Sequence, residues 1–150
     1  MKTKIILTII SLLILSTGCT RNNGDIGDLF GRWRMESLQA DGEEVELYDA
    51  ENLLYTWSFQ SSLMFITVIQ PYDSYYNVKG TWSMEGNEML LNFSYTGNDG
   101  QKYYDPPENL HLTRGGVTRL HVNRLTSGAM ELEQTASDGV RYVYHLKKAY

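Results

Sequence analysis

Val78-Lys79-Gly80-Thr81-Trp82-Ser83-Met84-Glu85-Gly86-Asn87-Glu88-Met89-Leu90-Leu91-Asn92-Phe93-Ser94-Tyr95 decides the fold class. Val78, Gly80, Trp82 and Met84 form one stripe, with Lys79, Thr81 and Ser83 opposite. Successive side chains of a strand point to opposite faces, so this alternation is that of a strand with one buried side. Glu85-Gly86-Asn87 is turn chemistry, and beyond it Met89, Leu91, Phe93 and Tyr95 resume the same period. Two stripes joined by so short a turn predict an antiparallel hairpin.

The same grammar extends in both directions. Gly31 to Ser37 places Trp33 and Met35 on one face and Arg32, Arg34 and Glu36 on the other, and Asp41-Gly42 closes the segment. Leu53, Tyr55, Trp57 and Phe59 alternate with Leu54, Thr56, Ser58 and Gln60. Leu63 to Ile69 is apolar on both faces, which predicts cover on both sides. Downstream, Leu120 and Val122 alternate with Arg119, His121 and Asn123. Thr126-Ser127-Gly128 turns into Met130 and Leu132, and Ser137-Asp138-Gly139 turns into Val140, Tyr142, Tyr144 and Leu146. The chain is therefore expected to be all-β, with eight strands in an antiparallel up-and-down meander. A short helical segment is conceivable near Asp49 to Leu53. Closing such a meander into a barrel removes both exposed sheet edges. The competing two-sheet sandwich stays open because of one long connection, Thr96 to Thr118.

The N-terminal end belongs to a different class of segment. Lys2 and Lys4 precede an apolar run from Ile5 to Leu15, and Leu15-Ser16-Thr17-Gly18 leads into Cys19, the single cysteine of the chain. A spanning helix needs about 20 apolar residues, so the run has the length of a signal-peptide helix and not of an anchor. The pattern resembles the bacterial lipobox, with Ser16 where leucine is usual. That resemblance implies a diacylglyceryl group on the Cys19 thiol, with Cys19 as the first residue of the mature chain. An ordinary secretory signal would instead leave an unpaired thiol in an oxidising compartment.

The expected organisation is a lipoprotein signal peptide over residues 1–18, a flexible tether over 19–27 and one barrel domain over 28–150. Thr20 to Gly27 is polar and aperiodic, as a tether should be. Thr20-Arg21-Asn22-Asn23 follows the cysteine and the first acid is Asp25, which favours an outer-membrane location facing the periplasm. The formal charge is −5 and becomes −7 without Lys2 and Lys4. An acidic chain without a basic cluster argues against nucleic acid as a partner.

Gly31-Arg32-Trp33 at the start of the first strand is the G-x-W of lipocalin-like barrels, and Tyr142-Val143-Tyr144-His145-Leu146-Lys147-Lys148 looks like a last barrel strand. From residue 28 to 150 the chain resembles the short lipocalin-like lipoproteins of Gram-negative bacteria. The resemblance implies that Trp33 plugs the closed end, next to a turn formed by Asp28-Leu29-Phe30. It also implies a basic residue of the last strand stacked on that tryptophan, with Arg141 or Lys147 in range. The T-D-Y motif of larger lipocalins is missing.

Chemistry is sparse. His111, His121 and His145 are scattered without metal-ligand spacing, so no metal is expected. Asp105-Pro106-Pro107-Glu108 reads as a rigid loop with solvated carboxylates. No nucleophile motif is visible, no catalytic residue is assigned and no cofactor is expected. An eight-stranded barrel is just wide enough to be filled or to hold one small ligand. The inward candidates for ligand contact are Trp33, Tyr55, Trp57, Trp82, Phe93, Tyr95, Tyr142 and Tyr144. Tyr72, Tyr75, Tyr103 and Tyr104 are candidates for a rim. The expectation is a non-enzymatic, lipid-anchored envelope protein binding a small apolar or amphipathic molecule. The alternative is a solid barrel that contacts another envelope protein, or inhibits an enzyme, through its loops.

Overall fold

The computed structural model describes residues 26–47, 54–70, 72, 74–94 and 105–149. The expected signal helix, Cys19, most of the tether and the stretch near Asp49 to Leu53 lie outside these residues. Among the described residues no helix is long and apolar enough to cross a membrane.

Among the described residues nine strands run antiparallel: β1 (Gly31–Ala40), β2 (Glu43–Val45), β3 (Leu54–Gln60), β4 (Leu63–Ile69), β5 (Tyr75–Glu85), β6 (Glu88–Asn92), β7 (Val117–Leu125), β8 (Ala129–Thr135) and β9 (Arg141–Ala149). From β3 to β9 each strand pairs with its sequence neighbour, and β9 returns to pair with β1 from Arg32↔Ala149 to Ala40↔Tyr142. The ring is an eight-stranded closed barrel of β1 and β3–β9, so the sandwich is excluded. The ninth strand, β2, is an addition that the sequence reading missed. A bulge between Met35 and Ser37 divides β1. Before it, Gly31–Arg34 pairs with β3, and after it Leu38–Ala40 hairpins with β2. Asp41 and Gly42 both take positive φ, the geometry of a tight two-residue hairpin.

The inward stripes match the sequence pattern except at the end of β5, where Trp82 is only partly buried and Met84 is exposed because it passes beyond the packed core at the closed end. Trp33, Trp57, Phe59, Met64, Ile66, Val68, Met89, Leu91 and Tyr144 have no accessible surface. A void wide enough for water would leave some, so the barrel is packed solid around these side chains. Gly80 is inward because nothing larger fits: a Cβ there would lie 2.8 Å from the Asn92 carbonyl oxygen and 2.9 Å from the Phe93 ring. On β4 only the inward face is fully covered. Leu63, Phe65, Thr67 and Ile69 are half-buried on the outside, because their cross-strand neighbours Lys79 and Thr81 are exposed and do not roof them.

The two ends differ. At one, the tight turns 61–62, 86–87 and 126–128 meet a 3-10 turn, Gly27–Leu29, which closes the barrel. Trp33 Nε1 donates to the Leu29 carbonyl at 2.9 Å. The cation over the Trp33 ring is Lys148, at 4.3 Å from the centroid, and neither Arg141 nor Lys147. Register explains the correction: Lys148 is the cross-strand partner of Trp33, Lys147 faces outward beside Arg34, and Arg141 sits at the other end of β9. Lys148 Nζ also donates to the carbonyls of Asp28 and Phe30, and burial lowers its pKa. Gly31, beside the Lys148 side chain, takes φ +111°, a conformation that favours glycine.

Candidate functional site

The opposite end is the mouth, where the connections β3 receives and β4–β5, β6–β7 and β8–β9 share are gathered. The long β6–β7 connection does not hang free. Its described part, residues 105–116, leaves the β6/β7 side and reaches β3, β8 and β9, so it lies across the opening. Pro107 feeds a 3-10 turn, Glu108–Leu110, after which His111 takes a left-handed conformation at φ 53°. That reversal turns Leu110 and Leu112 down into the core, at 0% and 6% exposure.

Polar side chains from the barrel wall hold the segment. Asn109 Nδ2 donates to Tyr55 Oη at 2.6 Å, and Tyr144 Oη donates to the Leu110 carbonyl at 2.8 Å. Gln134 Nε2 donates to the His111 carbonyl at 2.9 Å and also to Tyr144 Oη. The His111 ring stacks on Tyr142, 4.2 Å between centroids and 14° between planes. Burial raises the Tyr144 pKa well above the usual phenol value, and burial with the nearby Asp138 carboxylate raises that of Tyr142. Both are neutral hydroxyls at physiological pH.

The sequence-predicted interior residues divide by height. Tyr55, Tyr142, Tyr144 and Phe93 gather under the mouth segment. Trp57 lies just below, its ring 5.7 Å from that of Tyr144, and its buried Nε1 makes no hydrogen bond among the described residues. Trp33 and Trp82 stand at the closed end, Trp82 edge-on to Phe59, far from any ligand at the mouth. Tyr72 and Tyr75 are exposed at the mouth, at 101% and 67%. Tyr95, Tyr103 and Tyr104 lie outside the described residues. Sequence reasoning missed Asn109, Leu110, Leu112 and Gln134. One signal was available: after Met130 and Leu132, position 134 is the next inward place on β8, and a glutamine there needs a partner.

One more bond ties the segment, Thr113 N–H donating to the buried Thr118 hydroxyl at 2.7 Å, and the ion pairs of the described residues lie at the surface. Asp105 and Glu108 are exposed, and Glu108 pairs with Arg114 at 2.9 Å. His121 meets Glu88 at 2.7 Å and His145 meets Glu131 at 3.5 Å. Arg141 grips Glu133 through two bonds of 2.7 Å, holding that carboxyl down at about 2 with help from Asn123. No trio of candidate metal ligands occurs among the described residues.

Two solved structures share this architecture. A lipocalin-like protein from Bacteroides uniformis aligns with a TM-score of 0.54 at 19% identity, over 79% of this chain and 97% of its own. An uncharacterised protein from Bacteroides eggerthii aligns with a TM-score of 0.55 at 17% identity, over 78% and 98%. At such identity the likeness speaks for fold alone. No curated protein matches the chain. A lipocalin-like domain model matches residues 13–145, nearly the whole sequence, and the chain therefore belongs to the lipocalin-like domain family.

Proposed function

We propose that this chain is a non-enzymatic, lipid-anchored envelope protein that binds a small apolar or amphipathic molecule at the barrel mouth, beneath residues 105–112. The observation that carries the reading is a mouth closed by a segment tied through side chains to Tyr55, Gln134 and Tyr144. Leu110 and Leu112 occupy the place of a ligand's apolar part. Lifting them uncovers apolar walls together with two tyrosine hydroxyls, an amide and the unbonded Trp57 N–H, which suits a molecule with one polar end. Re-exposing each leucine costs about 1.5–3 kcal/mol, and each hydrogen bond about 1 kcal/mol. A ligand binds the lifted form only, so its apparent affinity is lowered by the population of that form.

This makes the test directional. Fatty-acid-like and bile-salt-like amphiphiles are titrated into wild type and Leu110→Ser, with tryptophan emission and native mass spectrometry as readouts. Leu110→Ser is expected to bind more tightly. Absence of binding in both proteins refutes the reading and leaves the barrel a filled scaffold.

A second reading draws on a different observation. Leu54, Tyr72 and Tyr75 are exposed at one corner of the mouth, and Ile69 lies between Leu54 and Tyr75 in register. Apolar surface of this kind marks contacts with another envelope protein. Crosslinking from Tyr75 to one defined protein supports it, and clean monomeric behaviour opposes it. In either reading an acylated Cys19 holds the chain to the outer membrane on its periplasmic side. Cys19→Ala is then expected in the soluble fraction, and its retention in the membrane pellet contradicts anchoring.

A further inference from the structure

The closed end carries a cup of about 540 Å³ whose apolar lining is Ile26, Leu29, Trp82, Met84 and Leu125. Its other described lining residues are serines, Ser61 and Ser83 among them, and none of the described lining residues is charged. Met84 is 40% exposed, the one large hydrophobic side chain of this exposure that stands at the closed end among the described residues.

We infer that this cup is a membrane-docking surface, seated on the acyl-chain boundary of the leaflet that holds Cys19; the inference rests on the anchoring reading above. Ile26 forms part of the cup and is the first described residue. Cys19 lies seven residues upstream, a reach of at most about 25 Å. The tether starts at this end of the barrel, so the shortest path from the acyl chains leads to the cup. A serine rim, an indole and uncharged aliphatic side chains suit the interface between headgroups and hydrocarbon, where tryptophan is enriched. Firm attachment comes from acyl chains. Docking sets orientation: the barrel stands upright, with its mouth turned away from the membrane.

The experiment uses the full acylated protein in phosphatidylethanolamine–phosphatidylglycerol vesicles with brominated acyl chains. Trp33 and Trp57 are completely buried, whereas Trp82 is only partly buried, so quenching reports the closed end. Loss of emission in brominated vesicles is expected, absent in Trp82→Phe and reduced in Met84→Asp. Nitroxide labels at Ser61→Cys and Ser137→Cys provide a readout independent of those variants, with the first reading lipid and the second water. The mass of the N-terminal peptide reports Cys19 acylation separately. Acylated, vesicle-bound protein with unquenched emission and a water-exposed label at position 61 overturns docking and leaves anchoring intact. An unmodified Cys19 overturns both.

Discussion

Replacing Tyr144 with phenylalanine isolates what holds the mouth closed. The ring and its contact with Trp57 are kept, and only the hydroxyl is removed. Gln134 keeps the His111 carbonyl as its acceptor, so the amide stays partnered. The Leu110 carbonyl loses its donor at a residue with no accessible surface. A buried acceptor left without a donor costs about 1–3 kcal/mol. With a urea slope of about 1–2 kcal/mol/M for a domain of this size, the midpoint of Tyr144→Phe should fall by about 1 M. Alkaline behaviour changes as well. The unfolded phenol ionises near 10.0, while burial raises the folded value, so stability is full below about pH 10 and declines as pH rises beyond it. Tyr144→Phe should flatten that decline. Limited proteolysis within residues 105–116 should quicken in step with the lost stability. An unchanged urea midpoint with unchanged proteolysis would refute the reasoning, since it would mean that water already satisfies the Leu110 carbonyl.

Two further outcomes follow from other parts of the barrel. Gly80→Ala must push the Asn92 carbonyl and the Phe93 ring out of contact distance, and overpacking of this kind should destabilise by about 1–3 kcal/mol in thermal or urea unfolding. Glu133 sits at about 2 against an ordinary 4.5 because Arg141 and Asn123 bond its charged form. Its depressed pKa stabilises the fold above about pH 4.5, and that contribution is lost as pH falls toward 2. Glu133→Gln should therefore lower stability at neutral pH and show a shallower acid limb in pH-dependent unfolding; an acid limb identical to wild type contradicts the assignment.

Much of the barrel could be read from residue order alone. Each hairpin depends on neighbours in sequence, and period-two alternation states which side chains go inward, so Trp33, Trp57, Phe93 and Tyr144 were identifiable as interior before any pairing was known. β2 was harder to read, since Glu43-Glu44-Val45 carries no apolar stripe and pairs with Leu38–Ala40 on the edge of β1 that β3, paired only with Gly31–Arg34, does not cover. The cation on Trp33 likewise depended on register. One residue of slip along β9 exchanges inward Lys148 for outward Lys147, and nothing local sets that slip.

The mouth was the least legible part. Asp105 to Gly116 has no period, and its leucines at 110 and 112 look like any loop residues until Tyr55, Gln134 and Tyr144 are brought beside the segment from strands up to 54 positions away in the chain. By itself the sequence determined the all-β meander, the inward aromatic stripes and the G-x-W start, because alternation and turn chemistry act over a few residues. Closure of β9 onto β1, the choice of Lys148 and the seating of Leu110 in the opening were decided only in three dimensions, because each depends on contacts between segments that sequence distance keeps apart.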